Sequence, residues 1–321
     1  MDQPIVGIDV AKRKVDIALV IKGKVRRKVC KNSQEGFKEA CQWLSRHAGS
    51  HVHACMEATG SYGDDLAIAL IEAGHTVSMV NPAQVAAFGK SELLRTKTDR
   101  VDAELIARFC AAMHPEPWTP PAPEVRQLQA LVRRLDTLVD MRAEEKLRHD
   151  AAASPDVRHS ARDVIAFLDT QIAAVETLIR DHFNQHPGLK AQRDLLTSIP
   201  GIAEQTAATI LAEIRNWQAF TSARQLVAYT GLAPQERTSG TSVRGKAKLC
   251  KIGNARLRKA LYMPALSARR YNDAATKLAE RLLSRGKTKK QAIAAVMRKL
   301  LTWSYGVLKS GRPFDLTLAS A

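Results

Sequence analysis

Residues 4–30 read PIVGIDVAKRKVDIALVIKGKVRRKVC, and three short β-branched runs divide this stretch. Pro4–Val10, Lys14–Ile21 and Lys24–Cys30 are each of strand length, and the small turns between them predict an antiparallel meander. Lys22-Gly23 suits the tight turn of the second hairpin. Downstream, Phe37, Ala40, Cys41 and Leu44 recur at helical spacing, which predicts a helix from about Gln34 to Arg46. A strand follows from His51 to Glu57, ended by Ala58-Thr59-Gly60. Next comes a helix with Leu66, Ala69, Leu70 and Ala73 on one face, stopped at Gly74. Thr76–Val80 is a further strand, closed by Asn81-Pro82.

Three strands, helix, strand, helix, strand and then helices is a meander followed by crossovers, which folds as a mixed sheet with helices on its faces. It is the order of an RNase H-like fold. The predicted class is therefore α/β plus all-α: a mixed sheet first, a long helical middle, and a mainly helical basic end. Residues 115–123 (PEPWTPPAP) hold five of the thirteen prolines and read as a stiff linker. Beyond it, Leu128, Val132, Leu135 and Val139 form one helical seam, and Ile165, Leu168, Ile172, Val175 and Ile179 form another. Ala151–Pro155 separates them, so two long helices pair either with each other or across a dimer. The expected division is 1–114, 115–190 and 191–321.

The chain has 321 residues, 45% of them hydrophobic and 25% charged, as in an ordinary globular protein. No apolar run reaches the ~18–20 residues of a membrane span, and the N-terminus has no signal-peptide pattern. Five scattered cysteines without a C-x-x-C pair argue against a zinc site or a disulfide framework and fit a reducing cytoplasm. The net charge of +17 is concentrated: Arg237–Arg312 carries twenty Lys and Arg against two acids, while the remainder holds 29 and 30. A polyanion is the partner this excess suits, bound largely through its backbone phosphates. Aromatic residues are only 5% of the chain, so base stacking is not expected to dominate. Ser198–Ile202 (SIPGI) reads as a helix-hairpin-helix turn, in which Pro200 and Gly201 would aim backbone N–H groups at a phosphate.

Four acids are candidates for chemistry. Asp9, in IVGIDV, and Glu57, in ACMEA, are carboxylates inside apolar strands, costly to bury without a cation. Each either pairs with a basic side chain (Lys12 lies near Asp9) or stands at a sheet edge or a metal. Asp99 and Asp102, in TKTDRVDA, fall on one face of a helix. There they are either solvated first-turn residues behind a Thr98 cap or part of a ligand set. Two strand-borne and two helix-borne carboxylates form an oxygen donor set suited to Mg²⁺ or Mn²⁺ and to phosphodiester displacement. Without clustered His and Cys, zinc is not expected. The loop RTSGTSVRG (237–245) offers hydroxyls between arginines, either a nucleophile or a turn that only binds the backbone.

GIDVAK (7–12), EATGSY (57–62), NPAQV (81–85), TKTDRVDA (96–103), SIPGI (198–202), GLAP (231–234), SGTSVRG (239–245) and LRKALYMPA (257–265) follow in order. Together they resemble the DEDD-type transposases of insertion-sequence family one-ten, relatives of the Piv invertase, over nearly the whole chain. The resemblance implies a RuvC-like metal site at Asp9, Glu57, Asp99 and Asp102. It also implies a catalytic serine at Ser239, with Ser242 as runner-up, and a phosphoserine link to DNA. Arg237, Arg244, Lys246, Lys248, Lys251 and Arg256 would contact nucleic acid. An element-encoded guide RNA, a homo-oligomer (dimer or tetramer) and a cytoplasmic, nucleoid-associated bacterial setting are further implications. Two rivals remain: a Holliday-junction resolvase or hydrolytic nuclease that uses water instead of Ser239, and an architectural DNA-binding protein needing only the basic segment.

Overall fold

The computed structural model describes residues 3–49, 51–58, 62–93, 99–235, 238–239, 243–244 and 248–316; the side chains of 99, 100, 238, 239, 243 and 244 are outside that description. The chain divides into two compact units, Met1–Pro120 and Pro121–Ala321.

The first unit is built on a five-stranded sheet. Its strands are β1 (Ile5–Val10), β2 (Lys14–Ile21), β3 (Lys24–Lys31), β4 (His53–Glu57) and β5 (Thr76–Val80), in the spatial order β3-β2-β1-β4-β5. The first three form the antiparallel meander, and β4 and β5 run parallel to β1. That mixed order is the RNase H-like topology. Helix α1 (Gln34–Ala48), capped by the Ser33 side chain, and α2 (Asp64–Glu72) cover one face. They bury Val6, Ile8, Ile17, Leu19, Ala54, Met56 and Val77. Helices α3 (Pro82–Ser91), capped by Asn81, and α4 (Asp99–Met113) belong to the opposite face, where Val85, Leu105, Ile106, Phe109 and Cys110 pack with Cys55 and Val80.

The proline-rich stretch begins as part of this unit. The Ser78 hydroxyl lies 2.9 Å from the carbonyls of both Pro115 and Glu116, and Trp118 donates its backbone N–H to Val77 at 2.7 Å. The stretch is thus stitched to the β5 edge, and the boundary between units falls between Pro120 and Pro121.

In the second unit, α5 (Pro123–Ala151) and α6 (Pro155–Gln185) pack on each other as a helical hairpin. Leu128, Val132 and Leu135 face Leu168, Ile172, Val175 and Ile179 in one core, so the two seams read in the sequence meet within the chain. The same core takes in α7 (Pro187–Thr197), α8 (Glu204–Ile214), α9 (Ala223–Thr230), α10 (Ala255–Tyr271), α11 (Asp273–Ser284) and α12 (Lys289–Ser310). Four two-residue strands lie between α9 and α10: β6 (Pro234–Gln235), β7 (Thr238–Ser239), β8 (Val243–Arg244) and β9 (Lys248–Leu249). β6 pairs with β9 and β7 with β8, both antiparallel. No described helix is long and apolar enough to cross a membrane.

Candidate acidic site and basic segment

One glycine decides how the acids are placed. A Cβ on Gly7 would stand 2.0 Å from the Ala103 carbonyl oxygen and 2.3 Å from the Ala107 nitrogen. The backbone of α4 therefore lies directly on β1, an approach that only a residue without a side chain allows. Side chains two apart in a strand share a face, so Asp9 projects on the α4 side, like Gly7. Opposite Gly7 in β4 is Cys55, and Glu57, two residues on, shares that face. It stands beside Asp9, one residue beyond the last registered pair, Ile8 with Met56.

The direction of α4 follows from its other contacts. Cys110, near the helix C-terminus, meets Cys55 and His53 toward the start of the strands. The N-terminal half, with Asp99 and Asp102, therefore lies toward the strand ends that carry Asp9 and Glu57. Asp9, Glu57 and Asp102 are half-buried, and none of them is without a partner. Among the described residues no group of three His, Cys, Asp or Glu side chains stands close enough to hold a metal ion, and the Asp99 side chain lies outside the described residues.

Two features here were not singled out in the sequence. Asp16 is directly opposite Asp9 across β1 and β2, is 6% exposed, and pairs with Lys14 at 3.0 Å. Its signal was the period-2 alternation of β2, which puts Lys14, Asp16 and Ala18 on one face once the hairpin register is known. Cys55 and Cys110 meet in the core beneath α4; the hydrogen bond to Cys110, then burial, pushes the Cys55 thiol far up.

In the second unit, β7 carries Ser239 and β8 carries Arg244, their side chains beyond the description. Arg237, Ser242 and Lys246 lie outside the described residues altogether. Lys248, Lys251 and Arg256 are exposed, and Arg256 sits 3.9 Å from Asp136. Behind this segment is a buried polar junction. Glu213, 4% exposed, accepts from Arg133 at 3.4 Å and from the Asn254 amide at 2.7 Å. Tyr229 donates to the Glu213 backbone carbonyl at 3.1 Å. Asn254 also caps α10, so the junction fixes where the strand-bearing segment rejoins the helices. A buried ion pair adds little net stability, but removing one partner would leave the other charge buried and unpaired.

The SIPGI turn joins α7 to α8. Gly201 has φ +108°, and a Cβ there would come within 2.7 Å of the Ala268 side chain on α10. The Pro200 carbonyl accepts from Asn272 at 3.4 Å. One side of the turn is thus packed on α10, and both residues are half-buried.

Residues 6–153 match a family model described as Transposase, and residues 193–280 match the model described as Transposase IS116/IS110/IS902 family. The pilin gene-inverting proteins of Moraxella bovis and Moraxella lacunata are each 37% identical over 319 residues, 98% of this chain and 98% of theirs. The insertion element IS110 43.6 kDa protein of Streptomyces coelicolor is 28% identical over 61% of this chain and 46% of its own length. T. thermophilus RuvC, solved in complex with a Holliday junction substrate, is 19% identical, with a TM-score of 0.29 over 36% of this chain and all of that one. At that level it adds nothing to the strand order, which by itself defines the fold of the first unit. The chain belongs to the IS110 family of transposases and DNA invertases, enzymes that recombine DNA.

Proposed function

We propose that this transposase cleaves and rejoins DNA with Ser239 as nucleophile and with Asp9, Glu57, Asp99 and Asp102 as a divalent-metal site. The observation that carries the reading is the Gly7 contact, which lays the acid-bearing half of α4 toward the ends of β1 and β4. The donor set is all carboxylate oxygen, the chemistry that suits Mg²⁺ or Mn²⁺. A divalent ion bound there would supply Lewis-acid stabilisation of the phosphate.

The Ser239 oxygen attacks phosphorus and gives its proton to solvent, the bond from phosphorus to one sugar oxygen breaks, and that oxygen takes a proton from solvent and leaves as a free hydroxyl. The resulting phosphodiester to serine keeps the bond energy, so a second sugar hydroxyl can displace the serine without ATP. Arg237 and Arg244 neutralise charge on the transferring phosphate; Ser242 is the alternative nucleophile. Lys246, Lys248, Lys251 and Arg256, with the Pro200-Gly201 turn, bind the nucleic-acid backbone. A guide RNA encoded by the element is part of the reading through the family resemblance, and the cationic segment suits it.

In functional terms 1–114 is the metal-binding part, 115–190 the helical connector and 191–321 the serine-bearing part. The connector also favours a homo-oligomer, dimer or tetramer. Besides the seam it uses against α5, α6 exposes Val157, Val164, Phe167 (62% exposed) and Leu178 (52%) at heptad-related spacing. A second apolar stripe on a long helix fits pairing with another copy.

The test is metal removal in a recombination assay with the element ends, target DNA and RNA from the element's flanks. Rejoined products are expected to fall to background in EDTA and to return with Mg²⁺ or Mn²⁺. Free nicked ends without rejoined strands, in Mg²⁺, would instead identify a hydrolytic nuclease.

A further inference from the structure

A cavity of about 350 Å³ opens in the second unit, against the short strands that lead to and from the serine. Its walls are apolar: Leu232, Leu249 and Leu282, with Pro234 and the small residues Ala294 and Ala295. Its rim is cationic, formed by Lys248, Lys287 and Arg298, and no acid lines it. All three cations are exposed and have no ion-pair partner among the described residues.

Gln291 adds a polar group at the edge. Its side-chain oxygen accepts from the Thr288 backbone N–H at 2.9 Å, in the capping box of α12. That leaves the amide N–H₂ without a partner among the described residues. Gln291, Ala294, Ala295 and Arg298 follow at i, i+3, i+4 and i+7, so one face of α12 supplies a hydrogen-bond donor, a gap and a cation in turn.

An apolar cavity with several unpaired cations and one free amide at its rim suits a ligand with an apolar heterocyclic body and a phosphate. Its volume is at the lower end of the ~300–1,000 Å³ of small-ligand sites, enough for a base and part of its sugar. Pro234 and Lys248 flank the serine-bearing segment on either side. Ser239 is four residue steps from Gln235, at most ~14 Å of extended chain. A phosphate at the serine and a base in the slot therefore belong to the same short stretch of strand.

We propose that this cavity takes up one unstacked nucleotide of the DNA strand being cut, its base between the leucine and alanine walls and its phosphate on Lys248, Lys287 and Arg298. The proposal rests on the recombination reading and adds a substrate contact to it. Extruding a base unstacks the duplex locally and distorts the backbone beside it, and the seated base fixes the register of the neighbouring phosphate relative to the serine-bearing segment. Apolar walls can hold a base without aromatic stacking, which fits a chain this poor in aromatic residues.

The experiment uses full-length protein with its flanking RNA and element-junction DNA carrying 2-aminopurine at successive positions around the cleavage site. At saturating protein, one position is expected to brighten several-fold as its base leaves the stack. The same rise is expected with Ser239→Ala, because extrusion precedes chemistry. Ala295→Trp, which fills the slot, and Arg298→Glu, an exposed change that spares the core, should each remove most of the rise. The proposal is overturned if no DNA position brightens, if only 2-aminopurine placed in the RNA does, or if both variants brighten like the wild type. Covalent adducts scored in parallel separate the two readings. Adducts without brightening sink the pocket alone, whereas brightening without adducts sinks the serine chemistry alone.

Discussion

Asp9→Asn protein is expected to lose about three orders of magnitude or more of strand transfer while melting close to the wild-type temperature. The substitution keeps the size of the side chain and removes its charge. A metal-held phosphate transition state draws several kcal/mol from its ligands, and each ~1.4 kcal/mol is a factor of ten in rate. Stability should change far less. Asp9 stands directly across from Asp16, which is buried and served by Lys14. Like charges opposite each other in a ladder are unfavourable, so neutralising one returns up to ~1 kcal/mol against whatever Asp9 loses in its own pairing. The check is quantitative detection of rejoined junctions beside calorimetry of the same preparation. A clear fall in melting temperature with activity retained would make Asp9 a structural ion-pair residue.

Gly7→Ala should produce the opposite pattern, with loss of stability first and of activity as its consequence. The new methyl would lie 2.0 Å and 2.3 Å from backbone atoms of Ala103 and Ala107, which cannot swing aside as a side-chain tip can. Helix α4 must retreat by roughly 1 Å to restore contact distances. That loosens Leu105, Ile106, Phe109 and Cys110 from the sheet. Overpacking of this kind costs about 3 kcal/mol or more, or ~10 °C in the melting temperature of a unit this size. The retreat also carries Asp102 away from β1, so strand transfer falls even in the fraction that stays folded. Thermal unfolding followed by calorimetry, with an N-terminal transition that is unchanged, would refute the packing account.

The strands of the first unit were readable because each is a short β-branched run bounded by a turn. Lys22-Gly23 and Asn81-Pro82 are local signals that need no tertiary partner. The helical hairpin was half readable: the seams of α5 and α6 showed in their spacing, but not whether they faced each other or a second chain. Asp9 and Glu57 stood out as charges within apolar strands. The run of α4 across β1 did not, because it depends on the close approach of Ala103 and Ala107 to Gly7, nearly a hundred residues away. Asp16 was hidden among the polar residues of a meander until the register with Asp9 was fixed. The Arg133–Glu213–Asn254 junction joins three distant segments, and no periodicity announces such a contact.

The most direct test of the account is a covalent trap. Full-length protein with its flanking RNA, element-end and target DNA and Mg²⁺ would be quenched in denaturant and searched for protein–DNA adducts, comparing wild type, Ser239→Ala, Ser242→Ala and Asp9→Ala. Adducts mapping to a peptide that contains Ser239, present in the wild type and Ser242→Ala and absent from Ser239→Ala and Asp9→Ala, are the predicted result. Cleavage that persists in Ser239→Ala without any adduct, and stops in Asp9→Ala, would contradict it and leave a hydrolytic enzyme in its place.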